Sequence, residues 1–128
     1  MTLKLKNVLE INSILKLIID NDKLKIDPLF KFKLLGIMKN IEIPVANFST
    51  IRDEKIMEYG KEAEDENGNK TIAIPADDKE LLNKFTKEIN NILESDVDIS
   101  IQKLKPVDVF DKGLSSEYLI KLYPVIEG

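Results

Sequence analysis

The side chains able to do chemistry in this chain are carboxylates, lysines and a single arginine. None of the 128 residues is cysteine or histidine. The missing cysteine excludes disulfides and thiol nucleophiles. Without either residue the usual zinc sets and the Ser-His and Cys-His nucleophile pairs are also excluded. Histidine is, besides, the side chain best matched to general acid–base work near neutral pH. An enzyme would have to work through carboxylates or lysine. Paired carboxylates for hydrolysis need a cleft and a pKa asymmetry, and no spacing here announces either. The five glycines are scattered, so no phosphate-cradling loop of the G-x-x-x-x-G-K-[ST] kind occurs. The expectation is a non-enzymatic protein with no catalytic residue, no cofactor and no metal.

Four short constellations remain. Asp65-x-Asn67-x-Asn69 has the oxygen spacing of the start of a calcium loop. Its glycine, however, falls at the fourth position rather than the sixth, and Ala76 stands where the closing glutamate belongs, so a surface turn is expected. Lys23, Lys25, Lys31 and Lys33 flank the start of a helix, where free N–H groups and the helix dipole favour anions. Asp27 already meets those N–H groups, and lysines two apart do not share a helix face, so a solvated face is expected, with a phosphate or nucleotide site as the lesser reading. Arg52 is alone among eighteen lysines. Its planar fork can grip a carboxylate or phosphate with two prongs, as lysine cannot. Asp53 and Glu54 are not at helical pairing distance from it, which leaves Glu42 and Glu58 as expected surface partners. Finally, Glu58, Glu62, Glu64, Asp65 and Glu66 form an acidic run, most simply a solvated one. Lys31, Lys33, Arg52 and Tyr59 are the residues expected to meet a ligand or partner.

The bulk properties fit one soluble domain over residues 1–128. Apolar residues make up 43% and charged ones 33%, with a net charge of −4. That balance argues against gripping duplex nucleic acid by bulk charge, which needs clustered cations. No run approaches the roughly 18 apolar residues of a membrane span. The opening Met1-Thr2-Leu3-Lys4-Leu5-Lys6 lacks the apolar core of a secretory leader. A cytoplasmic location is expected.

The elements that must position these residues centre on 27–59. Asp27-Pro28 is a helix start: a capping carboxylate, then proline where its missing N–H costs nothing. Phe30, Leu34, Ile37, Ile41, Val45 and Phe48 then recur at helical spacing, running on to Ile56 and Tyr59, with Gly60 as the stop. A helix of that length spans roughly 45 to 50 Å. Pro44 should kink it or divide it into two helices end to end. Around it, 2–6 reads as a strand. Residues 8–20 read as a helix capped by Asn7, with Glu10 in capping-box position. Asn21-Asp22-Lys23 reads as a turn. Asn67-Gly68 reads as a type I′ turn, either in an exposed loop or in a hairpin with a strand over 71–74. A helix over 77–94 starts at Asp77 or Asp78. The alternation in 97–104 predicts a strand ended by Pro106 and paired with the N-terminal one. Asp111-Lys112-Gly113 is a turn, and Ser115-Ser116 caps a short helix over 115–122 stopped by Pro124. The predicted fold class is α+β and mainly helical, with a small antiparallel sheet from the two terminal strands.

The order of these pieces resembles a group of small accessory proteins of tailed bacteriophages and prophages of Firmicutes. The residues that carry the likeness are Tyr59-Gly60, Asp65-Glu66-Asn67-Gly68, the helix over 85–93, Val97-Asp98-Ile99, Leu114-Ser115 and the Leu-x-x-Leu-x-Pro ending over 119–127. It departs at Pro44, which falls inside an unbroken helix in similar sequences. The resemblance implies a phage origin, an accessory role in the host cytoplasm and no catalytic residue. With it comes the expectation of a counter-defence protein that inhibits a host immune protein or sequesters its nucleotide signal. A structural or assembly protein of the phage particle is the alternative. A spine longer than the other helices can cover also predicts a homodimer or larger homo-oligomer.

Overall fold

The computed structural model describes residues 1–21 and 23–128. The order is β1 (Thr2–Lys4), α1 (Leu5–Ile19), α2 (Pro28–Tyr59), β2 (Lys61–Glu64), β3 (Lys70–Ala73), α3 (Lys79–Leu93), β4 (Asp96–Asp98), α4 (Pro106–Val109), α5 (Ser116–Leu122) and a 3-10 turn at Tyr123–Val125. The class is α+β and mainly helical, as expected. Asp22, in the middle of the expected turn at 21–23, lies outside the described residues. The chain forms two compact units, Met1–Val45 with Asp96–Gly128, and Ala46–Ser95. The boundary follows Pro44 by one residue.

Helix α2 begins as its sequence dictates. The Asp27 carboxylate accepts the Phe30 N–H at 2.8 Å, and Pro28 takes the first helical position. Helical geometry then runs through Pro44, so the division into two helices does not occur. Proline has no N–H to offer the Asn40 carbonyl, but the turns on either side hold.

In the first unit, β1 pairs antiparallel with β4 and sets Leu3 opposite Val97. The Met1 ammonium donates to the Ile99 carbonyl at 3.2 Å, and the Ile99 N–H donates to the Met1 carbonyl at 2.8 Å, which extends the ladder. Two boundaries differ from expectation here. The first strand ends at Lys4, and α1 starts at Leu5 with Lys4 in extended geometry as its cap, so the Asn7–Glu10 box is not used. Leu5 is buried, and a start two residues before Asn7 brings it into the core. Strand β4 is three residues long rather than the eight of 97–104. Its partner β1 is equally short and turns straight into a helix, so nothing remains for residues beyond Ile99 to pair with. Leu104 instead makes a separate parallel bridge, donating to the Val125 carbonyl at 2.7 Å and accepting from the Glu127 N–H at 2.8 Å. Pro106 then opens α4, a short helix that the sequence reading missed.

The core of this unit comes from Val8, Ile11, Leu15 and Ile18 of α1, Phe30, Leu34, Ile37 and Ile41 of α2, and Leu104, Val109, Leu122 and Val125 of the C-terminal segment. Each buried side chain of this size is worth about 1.5 to 3 kcal/mol. Ile14 also faces inward from α1, while Leu17 is half exposed.

In the second unit, Phe48 and Tyr59 are the buried residues of α2. The acidic segment forms a hairpin rather than a loop: β2 pairs antiparallel with β3, Lys61 opposite Ala73. Its turn is not type I′, because Gly68 alone has positive φ, at 79°, and Asn67 does not. Asp65 explains this. Its carboxylate accepts the N–H groups of Asn67 and Asn69, both at 2.9 Å, and its carbonyl accepts from Gly68, which favours the wider turn with one left-handed glycine. The calcium-like spacing therefore serves the turn. Helix α3 is capped by Asp78, which accepts the Leu81 N–H at 3.1 Å. Leu81, Phe85, Ile89 and Ile92 form its half-buried face.

Gly60 joins α2 to β2 for reasons of space. A Cβ there would come within 2.3 Å of the Ile56 carbonyl oxygen and 2.5 Å of Ile72 Cγ2. Neither neighbour is the free end of a flexible chain. Gly60→Ala is expected to destabilise the protein by about 2 kcal/mol, as overpacking does, measured by urea unfolding. Gly36→Ala, where a Cβ meets nothing within 4 Å, serves as the helix-propensity control.

Candidate protein-contact surface

The start of α2, the candidate anion site, is an ion-pair lock. Asp27 Oδ1 caps the helix, and its Oδ2 accepts from the Lys112 ammonium at 2.6 Å. The same ammonium lies 5.3 Å from the centre of the Phe30 ring. One turn on, Lys33 Nζ donates to Asp108 at 3.1 Å. These groups line a recess of about 110 Å³. Lysine and aspartate alternate round it, so charge is already balanced where a phosphate would have to sit. Lys31 is exposed and takes no part in the lock.

Arg52 and Tyr59 fall in the other unit. The expected carboxylates, Glu42 and Glu58, do not hold Arg52. Its Nε and a terminal nitrogen each lie 3.4 Å from Asp53, with the guanidinium 5.9 Å from the Phe48 ring centre. The long side chain folds back over Phe48 and reaches the neighbouring carboxylate that backbone spacing seemed to rule out. Glu42 pairs with Lys39 at 2.8 Å and Glu58 with Lys55 at 2.9 Å. The Tyr59 hydroxyl donates to Glu88 at 2.8 Å, while Lys55 and Lys84 place their ammoniums 5.7 and 5.6 Å from its ring. The bond to Glu88 raises the Tyr59 pKa, burial adding to it, so the phenol stays a donor. The four expected contact residues are thus divided between two units, and three of them already have partners.

The outward side of α2 is what the sequence reading missed. Leu29, Phe32 and Ile43 are 63%, 73% and 71% exposed, and Leu35 is about half exposed. With Gly36 they follow at spacings of three, four and seven, which places them on one helix face. Phe32 is two residues from the buried Phe30, about 200° round the helix. The first half of α2 therefore carries two apolar stripes on roughly opposite sides, one buried and one in water. Further exposed apolar pairs stand three apart: Val107 of α4 with Phe110 at that helix's C-cap, and Ile120 of α5 with Tyr123 at its C-cap. An open recess of about 530 Å³ by α1 and α5 is lined by Ser13, Lys16, Leu17, Asp20, Asn21 and Tyr118. Among the described residues no three acidic groups are placed to hold a metal ion, and no helix is long and apolar enough to cross a membrane.

The lock has a pH signature. The Lys112 hydrogen bond, and then the Phe30 N–H, hold the Asp27 carboxyl below its ordinary value, and the bond to Asp27 holds Lys112 above its own. A carboxyl with a depressed folded pKa stabilises the fold above its unfolded pKa and loses that contribution as pH falls through the folded one. Asp27→Asn should therefore melt lower than the parent at about pH 7, with the gap closing toward about pH 3. Thermal melts across that range check the sign. No family model, curated protein or solved structure matches the chain.

Proposed function

We propose that this is a non-enzymatic, phage-encoded accessory protein that acts by holding another protein, with a host defence protein in the host cytoplasm as its target. The observation that carries the reading is the set of large apolar side chains left in water on the outward faces of α2, α4 and α5. Singly exposed apolar residues are ordinary, but stripes of them mark contact surfaces. The phage origin and the counter-defence role rest on the resemblance in element order. Sequestering a nucleotide signal is the weaker form of this reading, since Lys33 is tied to Asp108 and Arg52 to Asp53.

The test is biological. Expressed in a Firmicute host whose defences restrict a phage, the protein should raise that phage's plating efficiency. Tyr123→Glu and Phe110→Glu, both on exposed faces, should abolish the gain while leaving the melting temperature unchanged. Recovery of the protein in purified phage particles, with no effect on plating, would move the assignment to a structural or assembly role.

A further inference from the structure

We infer that the outward stripe of α2 is the contact for a second copy of this chain, packed antiparallel with Gly36 near the two-fold axis. The inference rests on the reading above, that these exposed apolar faces are contact surfaces. Its first support is the symmetry of the stripe. Leu29 and Ile43 stand seven residues on either side of Gly36, and all three lie on one face. A two-fold axis near Gly36 therefore lays Leu29 and Phe32 of one copy along Ile43 of the other.

The second support is Gly36 itself. Glycine within a helix costs about 1 kcal/mol relative to alanine, and here a Cβ would meet nothing within 4 Å, so no intramolecular contact calls for it. A backbone approached by a second helix does. The third is the direction of pairing. Lys39 lies on the same face as Phe32 and Gly36, and in a parallel pair it would meet its own copy, ammonium to ammonium. In the antiparallel pair the two Lys39 residues sit on opposite sides of the axis, about 9 Å apart along the helices, and each ammonium stays with its own Glu42. The helix dipoles then also oppose one another.

The size of the face sets the strength. Leu29, Phe32, Leu35 and Ile43 leave on the order of 400 Å² of apolar surface in water. A pair would cover about 800 Å², and the flanking polar atoms bring it to about the 1,000 Å² of a weak but specific interface. A concentration-dependent dimer follows, rather than a permanent one.

The purified protein alone tests this. Light scattering from ~10 µM to ~1 mM should show the mass climbing from 14.6 kDa toward twice that value. Phe32→Glu should hold it at the monomer mass with an unchanged circular dichroism spectrum. Because the chain has no cysteine, Leu29→Cys mixed with Ile43→Cys should give a disulfide-linked heterodimer, while neither variant alone should link to itself. A monomer throughout, or Leu29→Cys linking to itself as a parallel pair would, overturns the inference. The contact-surface reading fails separately, if charges placed on α4 and α5 leave plating unchanged.

Discussion

One aspartate ties the start of α2 to the C-terminal segment. The first half of this helix has apolar stripes on opposite sides, and the hydrophobic effect itself is non-directional. One carboxylate oxygen fixes the first turn through the Phe30 N–H, and the other takes the ammonium of Lys112, so the start of α2 is tied to the C-terminal segment in one rotation. Lys33 to Asp108 repeats the tie one turn later. In that rotation, Phe30, Leu34, Ile37 and Ile41 are buried, and Leu29, Phe32 and Ile43 are left outside. The buried stripe supplies most of the stabilisation, and the partly exposed ion pairs fit that rotation rather than impose it.

The parts of the fold that could be read from sequence are those decided locally. Asp27, Asp78 and Ser115 cap their helices because a short oxygen-bearing side chain reaches an N–H two or three residues on, whatever surrounds it. Gly68 and Gly113 adopt positive φ for an equally local reason. What could not be read depends on partners far along the chain. The strand alternation of 97–104 is real, but only three residues find a ladder, because β1 gives way to α1 after Lys4. The hairpin was ambiguous because β2 has no buried side chain, and an exposed ribbon leaves no alternation to detect.

The same distinction explains the site. Charged residues were the natural candidates, yet ionic partners are chosen by tertiary structure. Asp108, which holds Lys33, lies 75 residues away from it. Arg52 took a neighbour that backbone spacing had excluded, because a long flexible side chain is not bound by the geometry of its Cα. The outward stripe was legible in principle, since 29, 32, 36 and 43 fall on one helical period as 30, 34, 37 and 41 do, though with a turn skipped at Lys39. Two superposed periods in one helix blur into general hydrophobicity, and the inner one accounts for the helix unaided. Gly36 was the cue: a glycine amid good helix formers, with no turn to make.

Charge distribution bears on the kind of partner as well. The net charge of −4 is not spread evenly. Ala46–Ser95 holds twelve acidic residues against seven basic ones, and the remainder of the chain eleven against twelve. The whole of the excess negative charge therefore falls in the unit that holds Arg52 and Tyr59. A cleft or face of one sign concentrates ligands of the other and repels its own, so phosphate groups approaching Arg52 would meet an unfavourable potential before reaching a guanidinium already engaged with Asp53. The outward half of α2 lies in the nearly neutral unit, where apolar contact is opposed by little net charge. Electrostatics and exposure thus support the protein-contact reading proposed above rather than its nucleotide-capture form.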